Sequence, residues 1–203
     1  MALDTGINDT CISDAELIGQ SLGDPELFTA IFDRHSGEIL RYVHARLGPD
    51  LAEDVTAETF LAAFRARKRF DPEVASARPW LYGIAVRQIG KHRRAEARRV
   101  RLLRSAPVDR PAEDFGDRSA ERVTAGQLGP ALTAVLAKLP GKDRELLLLI
   151  AWAGLSYEEA ATALGSTVSA VKSRLHRVRL RTRRELGGSN PMEANSDGHS
   201  SNG

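Results

Sequence analysis

With 203 residues, 29 Lys and Arg against 27 Asp and Glu, and 42% hydrophobic residues, the chain has room for two small hydrophobic cores. Its single cysteine, Cys11, excludes an internal disulfide, no Cys/His cluster has zinc-like spacing, and no apolar run reaches the length of a membrane span. A soluble, cytoplasmic protein without membrane insertion or metal is expected, and the net charge of +2 conceals an acidic stretch at 50–58 and basic stretches at 87–104 and 172–184.

Residues 1–13 mix Gly, Asn, Asp and Thr without periodicity and predict disorder, the first part of a partly disordered lead-in over 1–25. Asp14 is placed to cap a short helix through Gln20. Asp24, with Pro25 in the first turn, opens a longer helix in which Leu27, Phe28, Ile31 and Phe32 face a core. Its pattern continues through Ile39, Leu40, Tyr42 and Val43 and stops at Gly48-Pro49. His35 has no ligand partner at useful spacing and reads as a partly exposed structural histidine.

A further helix over about 51–69 buries Ala57, Phe60, Leu61 and Phe64. Glu53, Asp54 and Glu58 lie early in it and Arg65, Arg67, Lys68 and Arg69 late, the order that suits the helix dipole. Asp54 and Glu58, four apart, share a face and meet no cation at i+4 because position 62 is alanine, which leaves them open to a basic partner. No nucleophile or histidine accompanies them for acid/base catalysis. Phe70-Asp71-Pro72 breaks the helix, and the loop to Arg78 leads into another opened by Pro79-Trp80. There Trp80, Leu81, Ile84 and Ala85 form the apolar face. Arg87, Lys91, Arg93, Arg94, Arg98, Arg99, Arg101 and Arg104 follow, with Glu96 as the only acid. Trp80 reads as a core or half-buried anchor, and an aromatic beside a cationic helix is also what single-stranded bases stack on.

Residues 105–124, with Pro107, Pro111, Gly116 and no apolar period, read as a linker. Pro130 opens a helix with Leu132, Val135, Leu136 and Leu139, and Pro140-Gly141 separates it from a helix over 143–152, apolar all round from Leu146 to Trp152 and central to a second domain. Ser156 with Glu159 forms a capping box, Ala160, Ala161 and Leu164 give the next short helix its apolar face, and Gly165 ends it. Thr167 caps the following helix, in which Val171, Leu175 and Val178 turn inward and leave Ser169, Lys172, Ser173, His176 and Arg177 outward. From 172 to 184 the basic residues Lys172, Arg174, Arg177, Arg179, Arg181, Arg183 and Arg184 meet no acid. This is a helix-turn-helix whose second helix has the size of the major groove and the charge to attract phosphate. The tail from Gly187 is rich in Gly, Ser and Asn and is expected to be disordered.

The order of these pieces resembles the sigma-70 superfamily of bacterial RNA polymerase sigma factors, in particular its small extracytoplasmic-function group. Pro79-Trp80-Leu81-Tyr82-Gly83-Ile84-Ala85 resembles that family's promoter-melting helix. Gly154-Leu155-Ser156-Tyr157-Glu158-Glu159-Ala160-Ala161, leading to Val171-Lys172-Ser173-Arg174-Leu175-His176-Arg177, resembles its helix-turn-helix. The resemblance implies an all-α chain of two small helical domains joined by a flexible linker. A sigma-2-like domain at 26–99 would bind the polymerase clamp and open the minus-10 element. A linker at 100–127 would lead to a sigma-4-like domain at 128–186 that reads the minus-35 element and touches the polymerase flap, followed by a disordered tail at 187–203.

By the same resemblance, Ser169, Lys172, Ser173, Arg174, His176 and Arg177 would contact minus-35 DNA. Phe70, Asp71, Trp80, Arg87, Lys91, Arg93 and Arg94 would contact minus-10 DNA, with loop 70–78 capturing a flipped non-template base. Glu53, Asp54 and Glu58 would meet the clamp. The implied partners are core RNA polymerase, promoter DNA and an anti-sigma factor, with no cofactor and no catalysis by the chain itself. The chain departs from the family at Arg87, usually asparagine, at Lys91, often aspartate, and at Ser169-Ala170, commonly Gly-Thr, so promoter sequences are not carried over from relatives. The alternative is a stand-alone helix-turn-helix regulator that binds operator DNA without polymerase.

Overall fold

The computed structural model describes residues 12–104, 134, 136 and 138–185; the expectations for residues 1–11, the linker, the helix opening at Pro130 and the tail lie outside them. Ser13 and Glu16 start helix α1 (Asp14–Gln20): the Ser13 hydroxyl accepts from the Glu16 N–H at 3.2 Å and Glu16 accepts from the Ser13 N–H at 2.8 Å. The cap therefore precedes the expected Asp14, and Asp14 instead turns inward. Asp24 does accept from the Glu26 N–H, at 3.2 Å, but it opens a 3-10 turn, Pro25–Phe28, from which α2 (Thr29–Leu47) continues.

Gly48 alone separates α2 from α3 (Pro49–Ala66), and its φ of 88° lies where an L side chain is strained. Pro49 tolerates the first turn of α3 because its missing N–H would have no partner there. The two helices pack on each other, and the buried stripe of α3 is Ala52, Val55, Thr56, Thr59, Phe60 and Ala63. The expected stripe was rotated from this one: Ala57 and Leu61 are exposed and Phe64 is half-buried. Size misled, since most of the buried residues are small and both threonines satisfy their own hydroxyls. Thr56 Oγ1 donates to the Ala52 carbonyl and Thr59 Oγ1 to that of Val55, each at 2.7 Å. Phe32, expected in the core, is also exposed, its ring edge-on to Phe60 at 4.9 Å.

Helix α4 (Arg78–Arg104) buries Leu81, Tyr82, Ile84, Ala85 and Ile89, and Tyr82 meets Tyr42 of α2 edge-to-face at 5.1 Å. The chain divides into two compact units at Arg93/Arg94.

In the second unit, α5 (Gly141–Ala151) is less uniformly apolar in its setting than expected: Leu146, Leu148 and Leu149 are buried, while Ala151 is exposed. Buried Arg144 donates from Nε to the Leu136 carbonyl at 2.7 Å and from Nη2 to that of Leu139 at 3.1 Å. A buried guanidinium thus satisfies carbonyls just ahead of α5. Helix α6 (Tyr157–Leu164) begins at the Ser156–Glu159 capping box and ends at Gly165, whose φ of 57° and ψ of 44° make the left-handed stop. Thr167 Oγ1 accepts from the Ala170 N–H at 3.2 Å and so caps α7 (Val168–Glu185).

A methyl group at Gly165 would meet nothing within 4 Å, so its backbone angle alone makes substitution unfavourable. We expect Gly165→Ala to destabilise the second unit by about 1 kcal/mol and Gly165→Asn by less. Urea unfolding followed at Trp152 in a Trp80→Phe background measures both, and an unchanged midpoint for the alanine variant would show that this turn carries no strain.

Candidate nucleic-acid interface

Val171, Leu175 and Val178 are each 2% exposed, and this seam fixes the rotation of α7. Ser169, Lys172, Ser173, His176 and Arg177 are consequently exposed on the other side, one cationic and hydroxyl-bearing face. Arg174 departs from the expectation. Its Nε lies 3.4 Å from Asp143 Oδ1 on α5, so it braces α7 against its neighbour. Arg179, by contrast, donates to the Tyr157 hydroxyl at 3.4 Å.

The second cationic face lies on α4. Arg87, Lys91 and Arg94, at i, i+4 and i+7, are exposed. Arg93, expected with them, is half-buried and donates from Nη2 to the Arg46 carbonyl at 3.1 Å, fastening α4 to the end of α2. Phe70 and Trp80 meet edge-to-face at 5.1 Å, which brings together the two aromatics on either side of the loop. Asp71 is exposed and orders that loop by accepting from the Glu73 N–H at 3.0 Å.

On α3, Glu53 and Asp54 are exposed as expected. Glu58 is not open in the way its i+4 position suggested. Its Oε2 is 3.1 Å from His92 Nε2 and 3.8 Å from Lys91 Nζ; both partners come from α4, which sequence spacing along α3 could not reveal.

A charge network that the sequence reading missed lies beneath the loop. Asp14 Oδ2 accepts from His35 Nε2 and from the Ala77 N–H, both at 2.8 Å, while Arg34 Nη1 lies 3.1 Å from Asp14 Oδ1. Glu38 Oε1 accepts from His35 Nδ1 and Glu38 Oε2 from Arg78 Nε, both at 2.9 Å. The His35 side chain is only 12% exposed, more enclosed than expected. Burial opposes charging the imidazole, yet the hydrogen bonds and charges of Asp14 and Glu38 prevail and raise its pKa to about 9. Burial likewise opposes the Asp14 carboxylate, but His35, the Ala77 N–H and Arg34 lower its pKa to about 2. Only the His35–Glu38 spacing of three was legible in the sequence; the other partners are remote along the chain. Among the described residues no group of His, Cys, Asp and Glu is arranged to hold a metal ion, and no helix is long and apolar enough to cross a membrane.

The sequence matches the family profile of Sigma-70 region 2 over residues 31–99 and that of Sigma-70, region 4, over residues 130–181. The ECF RNA polymerase sigma factor SigD of Mycobacterium tuberculosis is 31% identical over 186 residues, covering 85% of this chain and 83% of SigD. The RNA polymerase sigma factor NccH of Alcaligenes xylosoxydans xylosoxydans is 28% identical over 175 residues, covering 85% of this chain and 94% of NccH. Among solved structures, CnrH in complex with the cytosolic domain of CnrY is similar with a TM-score of 0.58 at 26% identity, over 87% of this chain and 99% of CnrH. The sigma factor RpoE of Bartonella quintana, solved with the anti-sigma factor NepR, shares the fold with a TM-score of 0.57 at 22% identity, over 80% of this chain and 98% of RpoE.

His35 and Asp14 set a pH window. His35 is raised from 6.5 to about 9, so its stabilisation is complete below pH 6.5 and is lost as pH rises through about 9. Asp14 is lowered from 3.8 to about 2, so its share is complete above pH 3.8 and is lost as pH falls toward 2. Urea unfolding of the wild type and His35→Gln should therefore differ most between these limits, and the difference should shrink by about 2–3 kcal/mol from pH 6 to pH 10. A difference independent of pH would show that the imidazole is not held as a cation.

Proposed function

Because the chain belongs to the sigma-70 family of RNA polymerase sigma factors, in its extracytoplasmic-function group, and directs transcription by RNA polymerase from promoter DNA, we propose how its faces divide that work. The region 2 match displaces the alternative of a stand-alone regulator. The domain at 128–186 reads the minus-35 element, with Ser169, Lys172, Ser173, His176 and Arg177 entering the major groove. The observation that carries this is the three-residue seam of α7, which turns those five side chains to the same exposed side. Arg174 contributes by holding the helix on α5 through Asp143 rather than by reading a base.

The domain at 26–99 takes the minus-10 element. Arg87, Lys91 and Arg94 attract the phosphates, and Phe70, Asp71 and Trp80 receive an unpaired base, for which an aromatic surface supplies stacking. Arg93 serves by anchoring α4. Glu53 and Asp54 face a basic element of the polymerase clamp, and Glu58 supports them from its contact with α4. Residues 100–127 connect the domains. An anti-sigma partner is in keeping with CnrH, whose solved structure holds the cytosolic domain of CnrY. The chain works in the cytoplasm, where polymerase and promoter are found, and polymerase carries out the chemistry.

Four substitutions test these roles. Arg177→Ala should cost about 1–3 kcal/mol at one specific base pair, whereas Arg183→Ala should weaken all sequences alike; binding to base-substituted promoter fragments distinguishes them, and uniform losses from both would mean that α7 does not read bases. Asp54→Lys should leave stability within about 0.5 kcal/mol yet reduce co-elution with core polymerase, while Glu58→Lys, set against Lys91 and His92, should also lower thermal stability. Undiminished core binding by the folded Asp54→Lys protein would remove this face from the clamp contact.

A further inference from the structure

We propose that His35 is a positioning residue for base capture: by bridging Asp14 and Glu38 it fixes the Ala77-Arg78 junction, and through it the placement of Phe70, Asp71 and Trp80. The proposal rests on the reading of loop 70–78 as the base-capturing segment. One imidazole donates to two carboxylates, Nε2 to Asp14 and Nδ1 to Glu38. Each carboxylate holds one of two consecutive residues, Asp14 the N–H of Ala77 and Glu38 the guanidinium of Arg78. These residues are where the loop ends and α4 begins. Ala77 is fully buried, so its N–H must find its partner inside the protein.

The consequence for the loop is mechanical. Phe70 enters it and Trp80 lies in the first turn of α4, and their edge-to-face contact closes it. Loosening Ala77-Arg78 lets Trp80 move against Phe70 and opens the aromatic surface. Without the imidazolium, Asp14 and Glu38 lose the cation shared between them, and each depends on its own arginine, Arg34 for Asp14 and Arg78 for Glu38. Tyr82 is a further titratable group at this site, within reach of the Arg41 and Arg78 charges; burial pushes its hydroxyl to about 12, and it is therefore neutral. Nothing in the cluster needs to touch DNA; its effect on a captured base passes through the junction.

The test uses holoenzyme assembled from core polymerase and the full chain, with a promoter first selected by wild-type run-off transcription. Three quantities are compared for the wild type, His35→Gln and Glu38→Gln: co-elution with core, affinity for the duplex minus-35 fragment, and affinity for the single-stranded non-template minus-10 oligonucleotide. Both variants should bind the single strand about ten-fold more weakly, with core and duplex binding within about two-fold of wild type. The wild type should lose single-strand affinity relative to duplex affinity between pH 7.5 and 9.5, a comparison that does not depend on a variant folding. Unchanged single-strand affinity in either folded variant, equal losses in all three measurements, or a wild-type ratio indifferent to pH would overturn the role of His35. A wild-type holoenzyme that fails to bind the single strand at all would overturn the reading of the loop, a result distinct from variants that bind as wild type does.

Discussion

A carboxylate turned into the protein must be met by donors, and Asp14 is met by three of them from different parts of the first unit: His35 and Arg34 on α2 and the backbone of Ala77 before α4. Glu38 repeats the pattern with His35 and Arg78. Such a cluster is not strong evidence of net stability, since the cost of taking the ions from water offsets much of their attraction. Its importance is geometric. Removing one member leaves others enclosed and uncompensated, so the arrangement has few alternatives, and the segment it constrains is the one that joins the aromatic loop to the basic helix.

The two cationic faces arise from a common device. A narrow apolar seam fixes how each helix is rotated, Val171, Leu175 and Val178 in α7 and Leu81, Ile84, Ala85 and Ile89 in α4. What remains outward is then decided by helical geometry. Not every arginine in a basic run is available to a phosphate: Arg174 faces Asp143, Arg93 donates to the Arg46 carbonyl, and Arg144 is buried against carbonyls before α5. The near-neutral total charge is accordingly a poor guide to the local fields, which follow from the helix faces.

Glu58 links the acidic and basic surfaces of the first unit. Its contacts with His92 and Lys91 draw a cation of the α4 face toward the acidic face of α3. Lys91 remains largely exposed, at 68% of its side chain, so this pair is solvent-screened and contributes little on its own. The contact matters more for which way Glu58 points, leaving Glu53 and Asp54 as the more open acids of α3.

The helix-turn-helix was legible in the sequence almost residue by residue, because its signals are local: a capping box at Ser156 and Glu159, a left-handed stop at Gly165, a cap at Thr167 and a seam at helical spacing. The linear order of basic and acidic stretches was equally local, and so was the family resemblance. Tertiary structure decided what depends on contacts between segments remote in the chain. It rotated the buried stripe of α3 toward Ala52, Val55 and Thr59 and left Leu61 and Phe32 outside. It also gave Glu58 its partners from α4, took Arg93 and Arg174 out of the open faces, and brought Asp14 to His35 and Arg78 to Glu38. Periodicity reports the partners of a residue within its own helix; the charge it meets across a helix interface is set by how the helices pack.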